Sequence, residues 1–240
     1  MKDYLVVIPA RMSSTRLPGK PLIDIAGLPM IHHVWNRTTS AFSSEDVIIA
    51  TEDKEIEHYC LSNNLNCILT DSAFNGQERL KLVSDKILAK TYICVNGDEP
   101  IINIDDLKTI RKAARLYPDI VLIGRKMIDE KDFYDYSKSK IVFDLNDRLL
   151  YASRAGFPLT PKGKFDKAYK AVWLNSYPKT TLDEYFNSPP TPFEKIESNG
   201  ILRFLELGIE VKCIDLIGDS WAVDEPKDIK IVENRLRNLH

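Results

Sequence analysis

Cysteine, long apolar runs and net charge are all scarce in this chain of 240 residues. The four cysteines, Cys60, Cys67, Cys94 and Cys213, are scattered. Cys60 and Cys67 have the wrong spacing for a C-x-x-C metal or redox pair, and Cys94 and Cys213 lie inside apolar runs, as small core residues do. No apolar run nears the length of a membrane span and no charged-then-apolar leader opens the chain, so a reduced, soluble, cytoplasmic protein is expected. The formal net charge of −2 leaves no global basic field for nucleic acid. Walker A, G-x-G-x-x-G, G-x-S-x-G and H-E-x-x-H motifs are absent. His32 and His33 are adjacent on one expected helix and point in different directions, which makes a poor metal pair.

What is present is a globular composition, 44% hydrophobic and 28% charged, in a chain long enough for one large α/β domain with a small lobe. Apolar runs at Tyr4–Ile8, Asp46–Ala50, Asn66–Leu69 and Tyr92–Val95 read as strands. Helical periodicity at Pro29–Thr39, around Ile56–Leu61, at Glu78–Ile87 and at Ile104–Leu116 alternates with them. This pattern predicts a mostly parallel sheet covered on both faces, with ligands at the carboxyl ends of its strands. The second half adds a strand at Ile120–Ile123 and a hairpin, Lys140–Phe143 with Leu149–Tyr151. Ala171–Leu174 would extend that hairpin sheet. A Pro-rich loop at Asn187–Pro192 leads into one helix from Phe193 to Leu207 with Gly208 past its end. Glu210–Ile214 is the last strand, and a terminal helix carries Ile229, Ile231 and Leu236. The expectation is a single domain over residues 1–240 with a lobe inserted at roughly 127–190.

Directly after the first strand, Arg11, Arg16 and Lys20 stand among Ser13, Ser14, Thr15 and Gly19. Three cations with small hydrogen-bonding groups suit a phosphate chain: Arg grips oxygens bidentately, Lys is a point charge, and Gly admits a close backbone. A solvated basic loop is the plainer alternative. Asp98 and Asp224 each follow an apolar stretch at an element end, where a carboxylate either holds a divalent cation or caps a turn or helix.

Pro9-Ala10-Arg11, Ser14-Thr15-Arg16-Leu17-Pro18-Gly19-Lys20-Pro21-Leu22, Gly97-Asp98-Glu99-Pro100 and Val223-Asp224-Glu225-Pro226 together resemble the signature blocks of sugar-acid cytidylyltransferases. The likeness is to the 3-deoxy-manno-octulosonate (Kdo) type, which makes CMP-Kdo for lipopolysaccharide. It extends from Val7 to about Asp228 and implies a Rossmann-like nucleotidyltransferase fold. The implied reaction is Mg²⁺-dependent: a sugar-acid hydroxyl attacks the α-phosphorus of CTP and pyrophosphate leaves. By that resemblance Arg11, Lys20 and Asp98 are catalytic, and Asp98 and Asp224 are the metal ligands. CTP would be bound by Pro9, Ala10, Arg11, Ser14, Arg16, Lys20, Thr51, Gly76, Arg79 and Asp98. The acceptor would meet Asn96, Ser153, Arg154, Glu194 and Glu197, and a homodimer joined through the small lobe is implied. Asn75-Gly76-Gln77-Glu78-Arg79 is similar to the family's S-G-T-E-R segment near cytosine and sugar; a plain helix start is the alternative. Tyr151-Ala152-Ser153-Arg154-Ala155 is similar to Y-F-S-R-A, where Ser and Arg serve either the active site or the lobe's packing.

Departures from the family pattern cluster on the acceptor side. Asn96 replaces a glutamine, Ala171-Val172-Trp173-Leu174-Asn175 stands where H-I-G-I-Y is expected, and Asn199-Gly200-Ile201 loses a Glu and a Gln. The resemblance as a whole implies Kdo or a Kdo-like 2-keto acid as the acceptor, whereas these changes imply one that is not ordinary Kdo, or is a modified relative of it. A nucleotide-sugar glycosyltransferase is the rival reading, but it would favour a D-x-D motif over Gly-Asp-Glu-Pro. A non-catalytic nucleotide-binding module would not need Arg11, Lys20, Asp98 and Asp224 together.

Overall fold

The computed structural model describes residues 1–14, 16–218 and 220–238; Thr15 of the opening motif lies outside them. In chain order its first half runs β1 (Lys2–Pro9), β2 (Asp24–Ile25), β3 (Leu28–Pro29), α1 (Met30–Thr39), β4 (Val47–Thr51), α2 (Lys54–Ser62), β5 (Cys67–Leu69), α3 (Gly76–Ser84), β6 (Ala89–Val95) and α4 (Ile104–Leu116). The second half runs β7 (Val121–Ile128), α5 (Glu130–Tyr134), β8 (Lys140–Phe143), β9 (Leu149–Ser153), β10 (Ala168–Pro178), α6 (Lys179–Asn187), α7 (Pro192–Glu197), α8 (Ile201–Glu206), β11 (Val211–Asp215) and α9 (Pro226–Arg237).

Strands β5, β4, β1 and β6 are mutually parallel, as the alternation of the first half predicts, and β10 pairs antiparallel to both β6 and β7. The path is β11-β7-β10-β6-β1-β4-β5, with β11 parallel to β7. Strand β1 shows why the sheet is covered twice. Tyr4, Val6 and Ile8 pack with α1, α2 and α4 through Ile31, Val34, Ile56, Leu107 and Ile110. The alternate residues Leu5 and Val7 pack on the other face with Leu80 and Val83 of α3 and with Leu182, Tyr185 and Phe204. Period-two alternation thus feeds two cores.

Ala171–Leu174 extends the hairpin's sheet as expected, since its strand pairs with β8, but that strand is 11 residues long and also runs through the middle of the main sheet, with the β8–β9 hairpin hanging from its outer part. Of the stretch expected as a lobe, roughly 127–190, β10 runs through the main sheet, and β8 and β9 lie off its path. The single helix expected over Phe193–Leu207 is two short helices, α7 and α8, because Ser198 takes a left-handed φ of 49° between them. Helices α5 and α6 were not expected. No helix among the described residues is long and apolar enough to cross a membrane.

A third cluster fixes the ends of the chain to each other. Leu17 of the opening loop, Ile25 and Met30 pack against Val223 and against Val232 and Leu236 of α9. Each buried side chain of this size contributes roughly 1.5–3 kcal/mol, so the Leu17–Met30 and Val223–Leu236 stretches are held side by side by ordinary apolar packing.

Candidate active site

A cleft of about 390 Å³ opens at the carboxyl ends of β1 and β6. Pro9, Ala10, Arg11, Ser13, Ser14, Arg16, Lys20, Asn75, Gly76, Arg79, Asn96, Gly97, Asp98 and Asp224 are among the residues lining it. The residues that sequence reading took from four separate stretches of chain therefore meet in one concavity.

The opening loop is shaped by backbone bonds. Met12 C=O accepts from Ser14 and Gly19 N–H groups at 2.9 and 3.2 Å, and Met12 N–H donates to Asp53 Oδ2 at 2.8 Å. Gly19 has φ +69°, a conformation that glycine enters without a Cβ penalty. The chain then tightens into a 3₁₀ turn, Lys20–Leu22, which leaves Lys20 only 9% exposed. Its ammonium donates to Asp98 Oδ2 at 2.8 Å and to Asp224 Oδ1 at 3.1 Å, and Arg16 Nη2 donates to the same Asp224 oxygen at 3.0 Å.

Asp98 and Asp224 are far apart in sequence, and Val223 N–H donating to Asp98 C=O at 2.9 Å draws them together. Capping of α9 falls to its neighbours: Glu225 is the N-cap and Asp228 completes the capping box, with Asp228 Oδ2 accepting from the N–H groups of Asp224 and Glu225. The Asp224 carboxylate is left to face Lys20 and Arg16, so the helix-cap alternative does not hold for it. Next to Asp98, burial and the Asp98 charge push the Glu99 carboxyl up to about 7.

Two hard carboxylates converging on one cation are the donor set with which a protein holds Mg²⁺, the remaining positions going to phosphate oxygens and water. No group of three or more His, Cys, Asp and Glu side chains converges on one point among the described residues. Asp98 and Asp224 thus fit a metal shared with a ligand and do not form a closed protein cage.

Gly97 shows why the cleft floor needs glycine. A Cβ there, two residues beyond the end of β6, would lie 2.6 Å from Pro9 C=O at the end of β1. Gly97→Ala is expected to part those strand ends, lowering stability by about 1–3 kcal/mol as overpacking does and weakening nucleotide binding. Urea unfolding of the variant and a titration with CTP check both effects.

Other expected contacts sit elsewhere. Thr51 is fully buried, and its hydroxyl accepts from Asp53 N–H at 3.0 Å, so it supports the loop anchor from beneath and does not line the cleft. Arg79 borders the cleft with its donors already engaged by Thr70 Oγ1 at 2.6 Å, Asp71 C=O at 3.0 Å and Glu52 at 3.1 Å. Asn96 lines the cleft. Ser153, Arg154, Glu194 and Glu197 do not. Ser153 Oγ and Arg154 N–H both donate to Glu197, which fastens the end of β9 to α7. Glu194 is buried in a bidentate pair with Arg203 at 2.6 and 2.7 Å. Ser153 and Arg154 thus make the packing contacts between β9 and α7. Asn75 belongs to the segment expected near the base but is not among the named contacts; it lines the cleft, and its Oδ1 accepts from Glu78 N–H at 2.9 Å, as the Asn75-x-x-Glu78 N-cap signature allows. His32 and His33 do diverge, to Tyr59 Oη and Ile25 C=O.

Comparison with known proteins bears on the fold and the family. The family model described as Cytidylyltransferase matches residues 5–211. The 3-deoxy-manno-octulosonate cytidylyltransferase of Escherichia coli is 32% identical over 228 residues, 94% of this chain and 93% of that protein. The 8-amino-3,8-dideoxy-manno-octulosonate cytidylyltransferase of Shewanella pealeana is 33% identical over 241 residues, 98% of each. A solved structure of CMP:2-keto-3-deoxy-manno-octonic acid synthetase complexed with CTP superposes with a TM-score of 0.94 at 30% identity, covering 100% of both chains.

Proposed function

The chain belongs to the cytidylyltransferase family, and from that premise we propose that it activates a Kdo-type sugar acid with CTP, giving the CMP-sugar and pyrophosphate. The acceptor's hydroxyl oxygen forms the new bond to the α-phosphorus, the α–β phosphoanhydride bond breaks, and the hydroxyl proton passes to solvent. The observation that carries this reading is the Lys20 ammonium set 2.8 Å from Asp98 and 3.1 Å from Asp224 in a cleft that also holds Arg11 and Arg16.

In this arrangement Arg11, Arg16 and Lys20 hold the triphosphate, and the hydroxyls of Ser13 and Ser14 lie beside it. Their positive charge opposes the charge gathering on the leaving pyrophosphate. Asp98 and Asp224 would hold Mg²⁺, which neutralises triphosphate charge when bound. Met12 N–H on Asp53 and the packing of Leu17 keep the loop in place, so little rearrangement is needed at the moment of reaction.

The acceptor side of the reading rests on the relatives, one group named for Kdo and another for its 8-amino analogue. Asn96, one methylene shorter than the glutamine of the family pattern, lines the cleft where discrimination between such acids would be exerted. Pyrophosphate release from CTP and Mg²⁺ with Kdo, the 8-amino analogue and unrelated sugar acids tests the proposal. Release is expected with at least one octulosonate and not with the unrelated acids. No release with any of them would contradict it.

A further inference from the structure

We infer that Tyr185 is a positioning residue for the Asn75–Gly76 part of the cleft wall, acting through a buried hydrogen-bond chain that ends on the Glu194–Arg203 ion pair. This deepens the proposed function and rests on it for the identity of the ligand, though not for the chain itself.

The chain has a forced direction. Glu194, held by Arg203 at 2.6 and 2.7 Å, is an ionised acceptor. The Tyr185 hydroxyl must therefore donate to Glu194 Oε1, at 2.9 Å, and it accepts from Asn75 Nδ2 at 3.0 Å. With its amide nitrogen so engaged, Asn75 can only turn Oδ1 toward Glu78 N–H, where it caps α3. An amide that could flip at an isolated position is thus given one orientation from behind. Tyr185 is itself held at three points: its hydroxyl, its carbonyl, which accepts from Arg203 Nη1 at 2.9 Å, and its ring, 3.8 Å from the Arg203 guanidinium carbon. Burial and the adjacent Glu194 raise the phenol's pKa, so it keeps the proton that the chain requires.

Gly200 supplies an independent indication. A Cβ at this position would lie 2.9 Å from Tyr185 Oη and 3.3 Å from Gln77 Nε2. The missing side chain at one of the acceptor-side departures is thus the space that lets the Tyr185 hydroxyl reach Asn75. Gly200 has φ −61°, which any residue adopts, so only space is at issue.

The wall that this chain supports consists of Ala73, Asn75 and Gly76, with Arg79 beside it already engaged by Thr70, Asp71 and Glu52, whereas the opening loop lines the cleft with Arg11, Arg16 and Lys20. A nucleotide lying in the cleft would place its phosphates on the opening loop and its uncharged nucleoside end on that wall. The chain should therefore govern KM for CTP more than kcat.

Tyr185→Phe and Gly200→Ala test this by steady-state pyrophosphate release and by amide hydrogen exchange of the first turn of α3. Losing one such hydrogen bond should raise KM for CTP about three- to tenfold, leave kcat within about twofold, and speed exchange by a similar factor. Asn75→Ser, which keeps a capping oxygen, adds no charge and is too short to reach Tyr185, should give the same KM rise, and Tyr185→Phe with Asn75→Ser together no further rise. An unchanged KM and unchanged exchange in Tyr185→Phe would overturn the inference, as would a loss of kcat and melting temperature with KM unmoved. If Tyr185→Phe fails to fold, Gly200→Ala and Asn75→Ser carry the same comparison. Should the parent protein release no pyrophosphate with any sugar acid, the functional reading fails while the exchange data still decide on the chain.

Discussion

Lys20→Met is expected to lower kcat by about 10²–10³-fold, the loss seen when a single preorganised donor to developing charge is removed. Methionine keeps most of the length and apolar stem of lysine, so the niche in which Lys20 is 9% exposed stays filled. What disappears is the charge 2.8 Å from Asp98 and 3.1 Å from Asp224. Those carboxylates keep side-chain exposures of 34% and 39% and can turn to water. Ion pairs of that kind contribute about 0–1 kcal/mol to folding. The effect should therefore appear in turnover, with the thermal midpoint nearly unmoved. Lys20→Arg should not restore activity, because a planar guanidinium is larger than the niche and spreads its charge differently. Steady-state kinetics beside thermal unfolding checks the prediction. A kcat within threefold of the parent's would remove Lys20 from the reaction.

Asp98→Asn is expected to cost a similar factor, about 10²–10³-fold at a fixed low magnesium concentration, and to be relieved in part by raising that concentration. The substitution is isosteric and removes one of the two carboxylates that, among the described residues, pair with Lys20. Asp224→Asn should act in the same direction and more weakly, since Asp224 is the more exposed partner and also serves Arg16. Glu225→Gln provides the contrast. Glu225 caps α9 in a reciprocal pair with Asp228, so its loss should cost about 1 kcal/mol of stability and leave the magnesium dependence alone. Activity measured across a magnesium series for the three variants separates metal holding from helix capping.

The parts of this molecule that could be read from sequence are those governed by local pattern. β1, β4, β6 and α4 were legible because apolar alternation or 3.6-residue spacing, with clear punctuation, admits one element type. The cleft was legible because its cations, its glycine and its two aspartates sit at strand or helix ends, and strand ends in a parallel sheet converge. The position of β10 was not. Its middle reads as a short apolar run, and nothing local says that the strand enters antiparallel between β6 and β7. The break between α7 and α8 was hidden for a similar reason. Ser198 carries an unusual backbone angle with no glycine to announce it, although Asn199-Gly200 follows at once. Glu194, Glu197, Ser153 and Arg154 were expected at the acceptor through the family resemblance, with packing as the alternative for Ser153 and Arg154. Ser153 and Arg154 donate to Glu197, and Glu194 accepts from Arg203 and Tyr185, pairings across the chain that only the tertiary structure discloses. Thr51 shows the same limit: a polar residue at a strand end can point beneath the site as well as into it.

The central claim is that the paired aspartates and the cationic loop receive one metal-bound triphosphate. A crystal structure with CTP and Mn²⁺ tests it most directly, through the anomalous signal of the metal. The account predicts a metal peak within about 2–2.5 Å of carboxylate oxygens of both Asp98 and Asp224, at ordinary oxygen–metal distances, with phosphate oxygens against Arg11 and Lys20. A metal and triphosphate bound away from that cleft, with Lys20 still joined to both aspartates, would contradict it.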